Sequence, residues 1–158
     1  KMLLLASDHL PAWDLLLQAL DLPVLPTLGY GPQGKPYFPD LPQICFNLSH
    51  SGGLALCGVG DAPLGVDIEV LRPRRKTLPR FVLSDAEYGR YAALGGDWGA
   101  FYTLWTRKEA FCKQQGGSIA RPRGICPPET PDLAEFSGAD WRGAVYAPGA
   151  KIPSISWI

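Results

Sequence analysis

A chain of 158 residues has room for one domain, or for two small lobes sharing a core. Its 46% hydrophobic and 19% charged content is that of a folded globular protein and excludes a disordered one. Fifteen Lys and Arg balance fifteen Asp and Glu, so no global field draws the chain to nucleic acid.

In chain order, Leu3-Leu4-Leu5-Ala6 is too short for the apolar stretch of a signal peptide, and no run approaches a membrane span. A cytoplasmic protein with no membrane partner is expected. The chain opens at Lys1 rather than Met, which leaves its natural start open. Residues 11 to 20 predict a short helix with Pro11 near its start. Residues 22 to 42, rich in proline and glycine, predict loop with one short extended segment. Within it lies Gly34-Lys35-Pro36-Tyr37, where proline stiffens the backbone around a lysine. Strands are predicted at 44–48, 54–60 and 65–70, with a turn at Asp61-Ala62-Pro63. Ser84-Asp85-Ala86-Glu87 has the capping-box pattern of a helix start, and a longer helix is predicted from 97 to 115, stopping at Gly116-Gly117. Strands at 133–136, 141–146 and 155–157 complete an α+β chain with small antiparallel sheets.

Charge is concentrated locally. Arg72, Arg74, Arg75, Lys76 and Arg80 form a basic run, read either as a solvated loop or as a docking surface. The cysteines at 45, 57, 112 and 126 show no C-x-x-C spacing and read as reduced thiols packed as small hydrophobes, not as a zinc site.

Asp67 and Glu69 stand two apart, so on a strand they share a face while Ile68 points into the core. Two oxygen donors on a rigid strand suit Mg2+, and the same site would accept Mn2+. Solvated acids at a strand end are the plainer alternative. Trp105, Glu109 and Lys113 recur every four residues and share a helix face. Glu109 and Lys113 are then either an ordinary pair worth about 0.2–0.5 kcal/mol, or a third metal ligand and a cationic clamp on a diphosphate. Arg107 and Lys108 would face other directions, toward solvent or a partner. Ser49-His50-Ser51-Gly52 follows a strand and predicts a tight turn that gathers hydroxyls and backbone N–H groups around an anion. His50 alone reads more readily as a structural histidine, and His9 is given no role. No acid near Ser49 and His50 completes a catalytic triad, and there is no G-x-S-x-G elbow. Together the three segments point to phosphate chemistry.

Phe46-Asn47-Leu48-Ser49-His50-Ser51, Gly65-Val66-Asp67-Ile68-Glu69 and the segment from Phe101 through Trp105-Thr106-Arg107-Lys108-Glu109-Ala110-Phe111-Cys112-Lys113 occur in one order. In that order they resemble the 4'-phosphopantetheinyl transferases. Gly34-Lys35-Pro36 adds a block similar to the surfactin-synthetase-activating type, and the likeness runs from about residue 28 to residue 125. The resemblance implies two pseudo-symmetric lobes of small antiparallel sheet plus helices, with the active site in the cleft between them. Residues 1–62 would form a reduced N-terminal lobe and 63–158 a C-terminal lobe carrying the metal site, in a monomer. It implies transfer of phosphopantetheine from coenzyme A to a serine of an apo acyl or peptidyl carrier protein, releasing 3',5'-adenosine bisphosphate. Asp67, Glu69 and Glu109 would hold Mg2+, Glu109 would serve as general base, and Lys113 would hold the diphosphate. Lys35, Ser49 and His50 match positions that contact coenzyme A phosphates, and Glu87 matches a recurrent acid. The basic run becomes a docking candidate for an acidic carrier.

The chain departs from the pattern in one respect: residues 2–34 contain no Lys or Arg, where the family grips the adenosine end of coenzyme A. A homologue that binds carriers without modifying them, and a Mg2+-dependent phosphohydrolase, therefore stay open beside the transferase.

Overall fold

The structure, a computed structural model, describes residues 1–117, 119 and 121–158. It builds the expected α+β chain with small sheets. The first sheet holds β1 (Leu3–Ser7), β4 (Cys45–Ser51), β5 (Leu54–Gly60) and β9 (Ser156–Trp157), in the order β4-β5-β1-β9. The second holds β6 (Gly65–Val70), β7 (Leu133–Ser137) and β8 (Trp141–Tyr146), in the order β6-β8-β7. A small hairpin joins β2 (Gly29–Tyr30) to β3 (Pro36–Tyr37). The helices are α1 (Ala12–Leu20), α2 (Leu78–Val82), α3 (Asp85–Ala93) and α4 (Trp98–Gln114).

β1 was not expected to be a strand. Its residues alternate faces, as strand geometry requires. Leu4 and Ala6 enter a core shared with Leu56, Leu64, Val66, Ile68 and Val145, which draws on both sheets. Leu5 turns to the other side, toward Leu15, Leu16, Phe38 and Phe46 under α1. β1 runs antiparallel to β5 and parallel to β9, so the end of the described chain closes onto its beginning. A tilted ring contact between Trp141 and Trp157, with centroids 5.5 Å apart, anchors that return.

The predicted turn at Ser49-His50-Ser51 is instead strand. β4 pairs with β5 through to Ser51 opposite Leu54, and the chain reverses at Gly52-Gly53, both at positive φ that glycine tolerates. Side chains keep this stretch extended. Asn47 Oδ1 accepts from Val66 N at 2.8 Å, Ser49 Oγ from Ile68 N at 3.0 Å and Ser51 Oγ from Val70 N at 3.1 Å. β4 and β6 thus run side by side, joined by side-chain rungs where no backbone ladder exists.

α4 begins at the N-cap Asp97, whose carboxylate accepts from Ala100 N, and ends at Gly116 with φ 80°. Gly117 N donates to Cys112 O and Gly116 N to Lys113 O, the paired bonds of a Schellman ending. Gly65 decides where α4 lies. A Cβ there would stand 2.0 Å from Ala110 O and 2.4 Å from Gln114 N, so only glycine lets the helix backbone rest on β6.

Arg107 and Lys108 do not face solvent. Lys108 is sealed from water and pairs with Glu87, whose carboxylate also accepts from Ser84 N in the α3 capping box. Arg107 is buried and reaches Glu135 at 2.8 Å and Glu129 at 3.0 Å, and Arg90 bonds the same two acids. These ion pairs tie α3, α4 and β7 together. The basic run is exposed, but it is not all loop: Arg80 sits on α2 with its guanidinium 3.7 Å from the Tyr88 ring centroid. All four cysteines are free thiols, with Cys57 and Cys112 buried and Cys126 exposed. Among the described residues no helix is long and apolar enough to cross a membrane.

Candidate active site

The site forms where α4 lies on β6. Val66 and Ile68 point into the shared core, so Asp67 points from the other face of the strand toward α4. From the helix, Lys113 Nζ donates to Asp67 Oδ1 at 3.0 Å and to Val66 O at 3.1 Å. From β4, Ser49 Oγ donates to the same Asp67 oxygen at 3.1 Å. The other oxygen, Oδ2, is buried and has no hydrogen-bond partner among the described residues. A buried carboxylate oxygen without a partner is rare, because the desolvation it suffers goes uncompensated.

The electrostatics follow from this placement. Burial pushes the Asp67 carboxyl up from 3.8 to about 7; Lys113 opposes the rise, while the charges of Glu109 and Glu69 add to it. Glu109 is raised for the same first reason, burial, with Lys113 pulling it back and Glu69 pushing it up. The three carboxylates therefore lie within one another's field, with the Lys113 ammonium offsetting part of their repulsion. Among the described residues, however, no three His, Cys, Asp or Glu side chains stand close enough together to form a ready-made metal site. The orphaned Asp67 oxygen is the feature that fits a cation. Glu69 and Glu109, both only partly buried, act on Asp67 through their charges.

The remaining predicted residues are placed differently. Lys35 Nζ donates to Leu64 O at 2.8 Å, Lys113 O at 2.7 Å and Gln114 O at 3.5 Å, capping the last carbonyls of α4. Its pKa is lowered to about 8, chiefly by burial, with Cys45 opposing the fall and Lys113 adding to it. His50 is exposed on β4, on the opposite face from Ser49, and lines a cavity of about 640 Å³ together with His9, Trp13 and Leu54. The structure thus gathers Asp67, Glu109, Lys113 and Ser49 into contact or mutual influence, with Glu69 beside them. It sets Lys35 at the end of α4 and His50 across the strand.

The structural roles of Asn47, Ser51, Gly65 and Lys108 were not foreseen from sequence. For the first two a signal existed: in N-x-S-x-S the polar residues repeat at period two, which puts them on one strand face. For Gly65 and Lys108 the reason lies in helix-to-strand packing and in a partner 21 residues away.

The family model of the 4'-phosphopantetheinyl transferase superfamily matches residues 63–145, the stretch that contains β6, α4 and the acids between them. A 4'-phosphopantetheinyl transferase from Bacillus subtilis is 39% identical over 98 residues, 61% of this chain and 44% of that protein. The 4'-phosphopantetheinyl transferase Sfp of Bacillus subtilis strain 168 is 40% identical over 91 residues, 56% of this chain and 41% of Sfp. The 4'-phosphopantetheinyl transferase AcpT of Escherichia coli K12 is 46% identical over 100 residues, 60% of this chain and 51% of AcpT. The chain thus spans about half the length of the curated relatives it matches. With more than half of its residues under the family model, the chain belongs to the 4'-phosphopantetheinyl transferase superfamily.

Proposed function

We propose that the chain transfers 4'-phosphopantetheine from coenzyme A to a serine of an apo acyl or peptidyl carrier protein, with Mg2+, releasing 3',5'-adenosine bisphosphate. The observation that carries this reading is the buried, unpartnered Oδ2 of Asp67, set beside Lys113 with Glu69 and Glu109 in its field. Asp67, Glu69 and Glu109 are the residues that would hold Mg2+ or Mn2+; when bound, the ion supplies charge stabilisation for the diphosphate oxygens. Glu109 accepts the proton of the carrier's serine hydroxyl, and burial suits it to that work by making its carboxylate more basic. The serine oxygen bonds to the β-phosphorus as the bond from that phosphorus to the departing nucleotide breaks. Lys113 holds the diphosphate and offsets the charge of the leaving group.

The nucleophile belongs to the carrier, which accounts for a site with no activated serine or cysteine of its own. Lys35 and His50 are the proposed contacts to coenzyme A phosphates. Ser49 is assigned to the same set by resemblance, but its hydroxyl is bonded within the protein on both its donor and acceptor sides. We read residues 1–62 and 63–158 as a reduced first lobe and a second lobe carrying the metal site. We also read the protein as a cytoplasmic monomer without nucleic-acid or membrane partners.

The test is intact-mass measurement of an apo carrier after incubation with this chain, coenzyme A and Mg2+. A gain of one phosphopantetheine that EDTA abolishes is expected. No gain on fatty-acid, polyketide and peptide-type carriers, with the chain shown to be folded, would overturn the assignment.

A further inference from the structure

We infer that His9 joins His50 in gripping the 3'-phosphate of coenzyme A, in the cavity between the start of α1 and the strands β4 and β5. The inference rests on the coenzyme A reading proposed above. Coenzyme A carries phosphate in two places, a diphosphate in mid-molecule and a monoester on its ribose. The diphosphate is assigned to Lys113, on the face of β4 that bears Ser49. His50 stands on the opposite face of the same strand, so the monoester is the group left for it. One ligand can reach both places. Pro36, Asn47 and Leu48 line the cavity of about 640 Å³ that holds His50 and also a smaller one, of about 220 Å³, that holds Lys35 and Lys113.

Charge singles out His9 within the larger cavity. Among the described residues that line it there is no Lys or Arg, and residues 2–34 contain neither. The chain has two histidines, and both line this cavity. A phosphate monoester is close to a dianion at neutral pH and calls for cationic donors. Imidazole is the side chain that gains its charge nearest that pH. The His9 ring is already tethered, with Nδ1 at 3.0 Å from Asp8 Oδ1 and 3.2 Å from Ser7 Oγ. An ionised carboxylate only accepts, so Nδ1 carries the proton and Nε2 is the nitrogen left for a ligand. With the ring protonated, Nε2 donates and its charge strengthens the bond to a phosphate oxygen. Asp8 lines the cavity too and repels an anion, so its pairing with His9 cancels locally and His50 supplies the excess positive charge. Leu10, Trp13 and Leu54 make apolar walls beside the pair, suited to the purine that the ribose carries.

The experiment compares coenzyme A with dephospho-coenzyme A, which lacks the 3'-phosphate. Both affinities are measured by isothermal titration calorimetry at neutral pH for wild type, His9→Gln and His9→Lys. The wild-type chain is expected to prefer coenzyme A. His9→Gln should shrink that preference about tenfold, the low end for a hydrogen bond to a charged group. His9→Lys should keep most of it, because a cation at position 9 still meets the phosphate. Lysine would not rescue a histidine that only shapes the loop before α1. Equal losses of both ligands in His9→Gln would make His9 a support of the cavity and overturn the inference alone. So would an unchanged preference in that variant, or a wild-type chain that binds the two ligands alike. A folded wild-type chain that binds neither overturns the coenzyme A reading and this inference with it.

Discussion

Asp67 holds its proton more tightly in the folded chain than in the unfolded one, about 7 against an ordinary 3.8. The folded state therefore binds more protons than the unfolded state between those values, and stability falls as pH rises through that window. The contribution is most favourable below the unfolded value and is lost as pH passes the folded one. Glu109 acts in the same direction. Asp67→Asn removes the larger effect. In EDTA, urea unfolding at pH 5 and pH 8 should show wild type losing more stability with rising pH than the variant, by an amount on the order of a few kcal/mol. Parallel losses would mean that Asp67 is not held in a charge-averse site. At pH 8, Mg2+ should raise the melting temperature of wild type and not that of Asp67→Asn. The acids of this site were legible from G-V-D-I-E and W-T-R-K-E-A-F-C-K, because period two on a strand and period four on a helix decide which residues share a face. The commitments of Ser49 and Lys35 were not. Each depends on an atom of another element, 18 residues away for Ser49 and 78 for Lys35, that no local pattern encodes.

At the scale of elements, the site exists because α4 and β6 approach until backbone meets backbone at Gly65. Gly65→Ala places a methyl where Ala110 O and Gln114 N already stand. Neither neighbour is a flexible side-chain end, so the helix has to lift. Overpacking of this kind typically costs about 1–3 kcal/mol. The helix that lifts carries Glu109 and Lys113, so activity should fall further than the lost stability explains. Urea titration and carrier-modification rates measured on one preparation would show this; a full rate with reduced stability would mean that the helix position does not govern the site. The elements with strong local signals were read correctly: α1 behind its proline, α3 from its capping box, and α4 between Asp97 and Gly116. β1 was missed because a short apolar run carries no period of its own. The end of β4 was missed because Ser, His and Gly together resemble turn chemistry, and the bonds from Ser49 and Ser51 to β6 override it.

For the whole molecule, net charge is zero but its distribution is not uniform. Arg72, Arg74, Arg75, Lys76 and Arg80 are all exposed on the stretch that follows β6, directly downstream of Asp67 and Glu69. If an acidic carrier docks there, Arg74→Glu with Arg75→Glu should raise the apparent KM for the carrier roughly tenfold or more at low salt. Coenzyme A affinity should be unchanged, and the difference should shrink as salt is added. An unchanged carrier KM would place docking elsewhere. The α+β class was legible from the order of the elements. The return of β9 to β1 was not, because it pairs the two ends of the described chain, and nothing in either short segment names the other.

β6 is the outer strand of its sheet, and its N–H groups at 66, 68 and 70 face away from β8. Left bare, such a row is a template onto which any extended chain can add itself. Asn47, Ser49 and Ser51 close it with side-chain oxygens, so the cover of this edge is encoded in three residue identities rather than in one more strand. Backbone pairing survives most substitutions, whereas a rung made by a side chain does not. A change to valine at 47 or 51 suits a strand by propensity and still reopens the edge. The same short segment that bonds the Asp67 carboxylate therefore also covers the open edge of β6.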